Sequence, residues 1–196
     1  MSSTEAELIN RALRADSNAF ASLVELYQTP VYHLCYRMMG DSGEAEDAAQ
    51  ETFLRAYQNL KRYDRTRSFI TWLLSIAAHY CIDQIRRRRA PIVPLDVLPD
   101  EAVPDPVAGP ESISTRRDSQ QRMRVLLASL NSQDRAAIIL RYWYDLSDEE
   151  IADSLSLTVS AVKSRLHRAR RELAQLWQQQ SEPQLSDRRP YEPSTL

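Results

Sequence analysis

The sequence predicts an all-α protein in two parts, and three observations carry that prediction. Glycine occurs only 3 times in 196 residues, β-branched residues seldom cluster in runs, and apolar residues recur with a 3.6-residue period over long stretches. A segment rich in proline and acidic residues interrupts this pattern once, after position 90, and so divides the chain.

The first part reads as four helices. Residues 5–28 place Leu8, Leu13, Phe20, Leu23, Val24 and Tyr27 at helical spacing, and Pro30 suits the first turn of a second helix that ends near Gly40. A third helix is expected from about Gly43 to Tyr63. The fourth starts at the cap candidate Ser68, carries Ile70, Leu73, Ala77, Cys81 and Ile85 on one stripe, and ends in Arg86-Arg87-Arg88-Arg89. Four such helices can enclose one core.

Past the break, residues 116–130 form a helix closing on Leu126, Leu127 and Leu130, and Ala136 to Tyr144 form another. Ser147-Asp148-Glu149-Glu150 then fits a capping box, with a hydroxyl at N-cap and a carboxylate at N3, just before Ile151 and Ala152. The short helix it opens ends near Ser154 to Leu157. The expected organisation is therefore a helical domain over 1–90, a linker over 91–115, a second helical domain over 116–178, and a disordered tail rich in Gln, Pro and Ser over 179–196.

Charge is sorted along this frame. Residues 1–90 hold 12 basic and 11 acidic side chains, 91–114 none and 5, 115–180 11 and 8, and 181–196 2 and 3. The net charge of −2 hides that sorting. No apolar run approaches the roughly 20 residues that span a bilayer, so no direct membrane insertion is expected. The N-terminus MSSTEAELIN is polar and acidic, unlike a signal peptide, and a cytoplasmic location follows as an expectation. Cys35 and Cys81 lie far apart with no CxxC, and although each follows a histidine by two residues, positions two apart on a helix point about 200° from each other. Small buried cysteines are the preferred reading. Neither a metal site nor a cofactor is expected.

The segment TVSAVKSRLHRARREL, residues 158–173, carries basic side chains at five of its sixteen positions. Val162, Leu166, Ala169, Leu173 and Leu176 are spaced 4, 3, 4 and 3, one stripe of a helix, and the charges occupy the remaining surface with Arg165 at the stripe's edge. Glu172 is the only acid between Thr158 and Trp177, so pairing within the helix accounts for little of the charge. A short helix, a tight turn and a longer basic amphipathic helix make a helix-turn-helix, whose second member lies in a DNA major groove. The dry stripe docks the helix on its domain, and the charged surface meets phosphates and base edges.

These residues carry a resemblance. LSDEEIADSLSLTVSAVKSRLHRARREL looks like region 4 of the extracytoplasmic-function sigma factors of the sigma-70 family, and GEAEDAAQETFLRAY with FITWLLSIAAHYCIDQIRRRR resembles their region 2. The likeness covers roughly residues 18–178. It implies a protein that binds core RNA polymerase, recognises the −10 and −35 promoter elements and promotes DNA opening, without being an enzyme. It also implies, as a partner, an anti-sigma factor that occludes the DNA-binding domains.

Carried over by residue, the resemblance implies a core-polymerase surface at Asp47, Gln50, Glu51 and Arg55. The blander alternative is an acidic helical first turn favoured by the helix dipole. In KRYDRTRSFITW, basic and aromatic residues interleave as single-stranded nucleic acid requires, the charges holding phosphate while rings stack on bases. The resemblance makes Arg62, Arg65, Arg67, Phe69 and Trp72 candidates for the −10 element, Phe69 and Trp72 being alternatively core residues of the fourth helix. His79 joins them where the family often has asparagine, and Arg86 and Arg87 join them from an arginine run that could otherwise only complement a helix C-terminus. For the −35 element the candidates are Ser160, Lys163, Ser164, Arg165 and Arg168, arginine being best able to read guanine bidentately. Ser160-Ala161 replaces a glycine common in the family there.

Two rival readings fit less. A helix-turn-helix repressor leaves the basic-aromatic segment and the acidic 43–55 surface without a task. A carboxylate-bridged metal enzyme needs Glu-x-x-His motifs, and none of Glu25, Glu44, Glu46 and Glu51 has a histidine three residues on. Family linkers run near the polymerase active centre, so Pro91 to Ser114, with no basic residue, is expected to act there as a nucleic-acid mimic. Replacing its acids with serine should then change the ratio of abortive to full-length transcripts in reconstituted transcription; an unchanged ratio rejects the mimic.

Overall fold

The structure is a computed structural model that describes residues 3–89 and 112–181, and the described secondary structure is helical. In chain order the elements are α1 (Ser3–Leu13), α2 (Ser17–Met39), α3 (Ser42–Asn59), a 3-10 turn (Leu60–Arg62), α4 (Phe69–Arg89), α5 (Ser112–Ser129), α6 (Ser132–Trp143), α7 (Asp148–Leu155) and α8 (Val159–Ser181). Most of the expected linker lies outside the described residues. Its last residues, 112–115, belong to the first turn of α5, and α8 runs into the expected tail as far as Ser181.

The first half has four α-helices, but its first break is elsewhere than expected. The chain turns at Ala15, whose φ is 64°, and Asp16 then caps α2 by accepting from the backbone N–H groups of Asn18 at 3.0 Å and Ala19 at 3.1 Å. The bond from Ala19 first, and then that from Arg11, hold the Asp16 carboxyl below its ordinary value. Pro30, expected to open a helix, sits inside α2. Helix α2 continues through it because Leu23, Val31, Leu34, Cys35 and Met38 bury one continuous stripe, an apolar gain that outweighs one missing N–H donor.

Gly40 ends α2 with φ of 82°, donating its N–H to the Tyr36 carbonyl at 2.8 Å, and Asp41 caps α3 through Glu44 N–H at 2.9 Å. Helix α3 turns a small-residue face of Ala45, Ala48, Ala49, Thr52 and Ala56 inward, which lets it approach α2 and α4 closely. The Thr52 hydroxyl is satisfied within the helix by the Ala48 carbonyl at 2.7 Å. Phe69, Leu73 and Leu74 complete this core from α4. Cys35 and Cys81 meet there, both fully buried, and their hydrogen bond together with burial pushes the Cys81 thiol up.

In the second half, α6 begins one turn earlier than expected because Asn131 caps it, accepting from Asp134 N–H at 2.9 Å. The capping box of α7 is complete: Ser147 Oγ accepts from Glu150 N–H at 3.1 Å and Glu150 accepts from Ser147 N–H at 2.8 Å. Ser156, in the left-handed region at φ 55°, makes the tight turn, and Thr158 caps α8 through Ala161 N–H at 3.2 Å. Val162, Leu166 and Ala169 are buried as the stripe requires.

The two halves dock on each other, α2 and α4 against α5, α6 and α7. Arg135 is buried and donates to the Met38 carbonyl at the end of α2 and, at 2.8 and 3.3 Å, to the carbonyls of Ala128 and Leu130. Arg124 reaches the Gly40 carbonyl beside it. Tyr144 donates its hydroxyl to the Pro30 carbonyl at 2.5 Å, and Arg37 lies over the Trp143 ring at 5.1 Å.

Burial pushes the Tyr144 hydroxyl from its ordinary 10.0 up to about 12. A raised phenol stabilises the docked form fully below pH 10.0 and loses that contribution as pH climbs through about 12. Tyr144→Phe should weaken docking by about 1 kcal/mol and abolish this alkaline opening. Energy transfer between dyes on the two halves measures both effects.

Candidate polymerase and nucleic-acid interface

The four candidates on α3 sit on its outward side, but they are not equivalent. Glu51 and Arg55 pair with each other at 2.7 Å, and the Arg55 guanidinium rests 4.8 Å above the Tyr80 ring of α4. Asp47 and Gln50 point out one turn earlier, both exposed. Gln50 borders a cleft of about 510 Å³ between α2 and α3, lined also by Tyr32, His33, Glu46 and Phe53. On α2 Leu26, and on α3 Leu54 and Tyr57, are 56%, 52% and 45% exposed. Large apolar side chains so displayed beside polar ones suit a protein partner. Sequence reasoning named neither Leu26 nor Tyr57 here, although their places outside the buried stripes could have marked them.

The basic-aromatic segment forms a pinned loop. Tyr63 is buried and donates its hydroxyl to the Arg67 carbonyl at 2.5 Å, while Asp64 accepts from Thr66 N–H at 2.9 Å and Thr66 hydroxyl at 2.8 Å. These two Thr66 bonds, in that order, hold the Asp64 carboxyl down. Arg62 and Arg65 are left exposed on the loop. Arg67 is exposed too but engaged, 3.0 Å from Asp153 on α7 in the other half.

Phe69 corrects the expectation of a base-stacking ring. Its side chain is fully buried, 5.6 Å from the Tyr27 ring and 5.2 Å from the Tyr63 ring between centroids, so it is a core residue at the start of α4. Trp72 leans on Tyr63 and Phe69 at 5.1 and 5.5 Å and keeps part of its surface open. His79 is exposed, its Nδ1 donating to the Ser75 carbonyl at 2.9 Å. Trp72, His79 and Arg86 recur every seven residues and Arg87 adjoins Arg86, so one side of α4 presents a track of roughly 21 Å at 1.5 Å per residue. Arg86 and Arg87 are exposed along it, whereas Arg88 turns to Glu44 at 2.6 Å.

On α8, Ser160, Lys163, Ser164 and Arg168 are exposed on the side away from the buried stripe. Arg165 is not free in the same way: its side chain is 22% exposed and donates at 2.7 Å to Asp134 of α6, which is 2% exposed. Arg168, 60% exposed, lies 3.7 Å from the same carboxylate oxygen. Thus a tertiary acid, 31 positions away in sequence, supplies the pairing that α8 lacks internally.

Two helical units of this kind, in this order, have known counterparts. The family description "Sigma-70 region 2" matches residues 23–90, and "Sigma-70, region 4" matches residues 120–173. The ECF RNA polymerase sigma factor SigW of Bacillus subtilis is 37% identical over 183 residues, covering 84% of this chain and 92% of its own. The chain belongs to the extracytoplasmic-function sigma factors. SigD of Mycobacterium tuberculosis is likewise similar, 37% identical over 170 residues, with 83% of this chain and 78% of its own covered. Among solved structures, CnrH in complex with the cytosolic domain of CnrY superposes with a TM-score of 0.68 at 25% identity, covering 91% of this chain and 99% of that one. RpoE of Bartonella quintana shares the fold, with a TM-score of 0.64 at 23% identity over 81% of this chain and 96% of its own. As an RNA polymerase sigma factor the protein acts in transcription initiation, with promoter DNA as its target. Among the described residues no helix is long and apolar enough to cross a membrane.

Core and surface residues of this sigma factor should separate cleanly on substitution. Phe69→Ala should cost about 3–5 kcal/mol of stability, and Arg62→Ala or Arg65→Ala no more than about 0.5 kcal/mol. Chemical denaturation midpoints check this, and a Phe69→Ala protein as stable as the parent would return Phe69 to the surface.

Proposed function

We propose that the first helical domain of this sigma factor, 1–90, holds core polymerase and captures the −10 element, and that the second, 116–178, reads the −35 element. Asp47, Gln50, Glu51 and Arg55 carry the polymerase contact, with Leu54 and Tyr57 as its apolar component. Arg62, Arg65, Arg67 and Trp72 receive the opening strand, and His79, Arg86 and Arg87 follow the flanking DNA. Ser160, Lys163, Ser164 and Arg168 face the upstream groove. The observation that carries this reading is the presence of two separate basic surfaces, one beside a partly open tryptophan and one on the second helix of a helix-turn-helix. The first suits unpaired bases and the second suits duplex.

Arg67 has to leave Asp153 to reach DNA. An exposed pair of that kind is worth up to about 1 kcal/mol, less than the phosphate contacts that replace it. The protein works in the cytoplasm and has no catalytic residues of its own. An anti-sigma factor is its regulatory partner; the exposed apolar side chains support this, and RpoE, which shares the fold, was solved bound to the anti-sigma factor NepR.

Run-off transcription with core polymerase, with and without this chain, on a pooled genomic promoter library tests the reading. Starts that require the chain and share two spaced upstream elements are expected, and Arg62→Ala with Arg65→Ala should reduce their yield at least tenfold. An absence of new starts, with DNA binding by the chain intact, would instead make it a repressor.

A further inference from the structure

Asp134 is a buried carboxylate that is not itself among the proposed contact residues, and a buried charge persists only where partners compensate it. One of its oxygens accepts from the Asn131 amide at 2.7 Å, and Asn131 in turn accepts from Asp134 N–H, so the carboxylate is fixed at the first turn of α6. Its other oxygen faces α8, where Arg165 lies at 2.7 Å and Arg168 at 3.7 Å. Those arginines are neighbours one turn apart on the helix that meets DNA.

We propose that Asp134 is a positioning residue for promoter reading, holding Arg165 inward as a strut and tethering Arg168 from its inner side. The inference rests on the upstream-reading role given above to α8. Two unrestrained guanidiniums would swing to the nearest phosphates, which carry no sequence information. Reading guanine needs a guanidinium held in the plane of the base. By neutralising one of the two charges and fixing the other, Asp134 exchanges indiscriminate attraction for alignment. Arg165 therefore acts through packing, and Arg168 is the arginine that reaches a base edge.

The test uses holoenzyme assembled from core polymerase and the full chain, bound to two duplex pools, one randomised over the upstream element and one over the −10 element. With Asp134→Asn, affinity for unselected DNA should rise several-fold. The slope of log affinity against log salt should steepen by about 0.9 for each additional phosphate neutralised. Upstream sequence preference should fall about tenfold, with −10 preference unchanged. A merely structural role predicts parallel loss of affinity on both pools with no steeper salt slope, and that result overturns the proposal. Should the variant fail to fold, side-chain proton exchange of the 15N-arginine-labelled wild-type chain decides: Arg165 guanidinium protons should exchange much more slowly than those of exposed Arg171, and equal rates reject the strut. A wild-type holoenzyme that selects no upstream sequence would reject the α8 role itself.

Discussion

A guanidinium taken out of water has to find acceptors, and Arg135 finds them in backbone carbonyls that come from both halves of the molecule. Ala128 and Leu130 belong to the junction between α5 and α6, and Met38 to the last turn of α2, where the helix dipole favours a cation. The same side chain therefore shapes a turn in one domain and satisfies a carbonyl at the end of a helix in the other. Docking of the halves depends on it more than on the exposed pairs around the rim, because an uncompensated buried charge costs far more than a solvated one. Its sequence neighbour Asp134 faces α8, so adjacent residues on α6 connect domain docking to the second helix of the helix-turn-helix.

Helix α2 is the element around which the first domain is built, and its composition explains why. It contacts α1, α3 and α4 in its own domain and α5 and α6 in the other. A helix with so many neighbours must be apolar over much of its circumference, which is why an internal proline does not break it: the buried stripe on either side of Pro30 is secured by packing. The alanine-rich side of α3 fits the same logic. Small side chains bring the backbones close and leave the opposite side of α3 free for Asp47 and Gln50, so the thin core contact and the wide polar display come from one helix.

Much of this was legible in the chain. Periodicity located the helices, the Ser147 capping box fixed the start of α7, and the 4-3-4-3 stripe predicted the buried side of α8. The failures share a cause, which is that local pattern cannot report distant partners. Ala15 and Asp16 broke the first helix through a cap with no strong apolar signature, and Pro30 was misread because burial by other helices overrode its usual meaning. Within the site, Phe69 could not be told from Trp72 by composition. Only the fold reveals that one ring is enclosed by Tyr27 and Tyr63 while the other keeps an open side. Arg165 and Arg168 read alike in the sequence, and only the fold pairs Arg165 with a carboxylate 31 residues away.

If Arg67 takes part in promoter capture as proposed, its contact with Asp153 in the other half has to break first. On that reading promoter DNA engages fully only those molecules in which the pair has broken, and its apparent dissociation constant would be multiplied by one plus the paired-to-broken ratio. A ratio of about five, which about 1 kcal/mol supplies, would weaken binding roughly sixfold without altering any DNA contact. Any partner that draws Asp153 away from Arg67 would return that factor. A single ion pair between its own two halves can thus set how readily the protein takes promoter DNA.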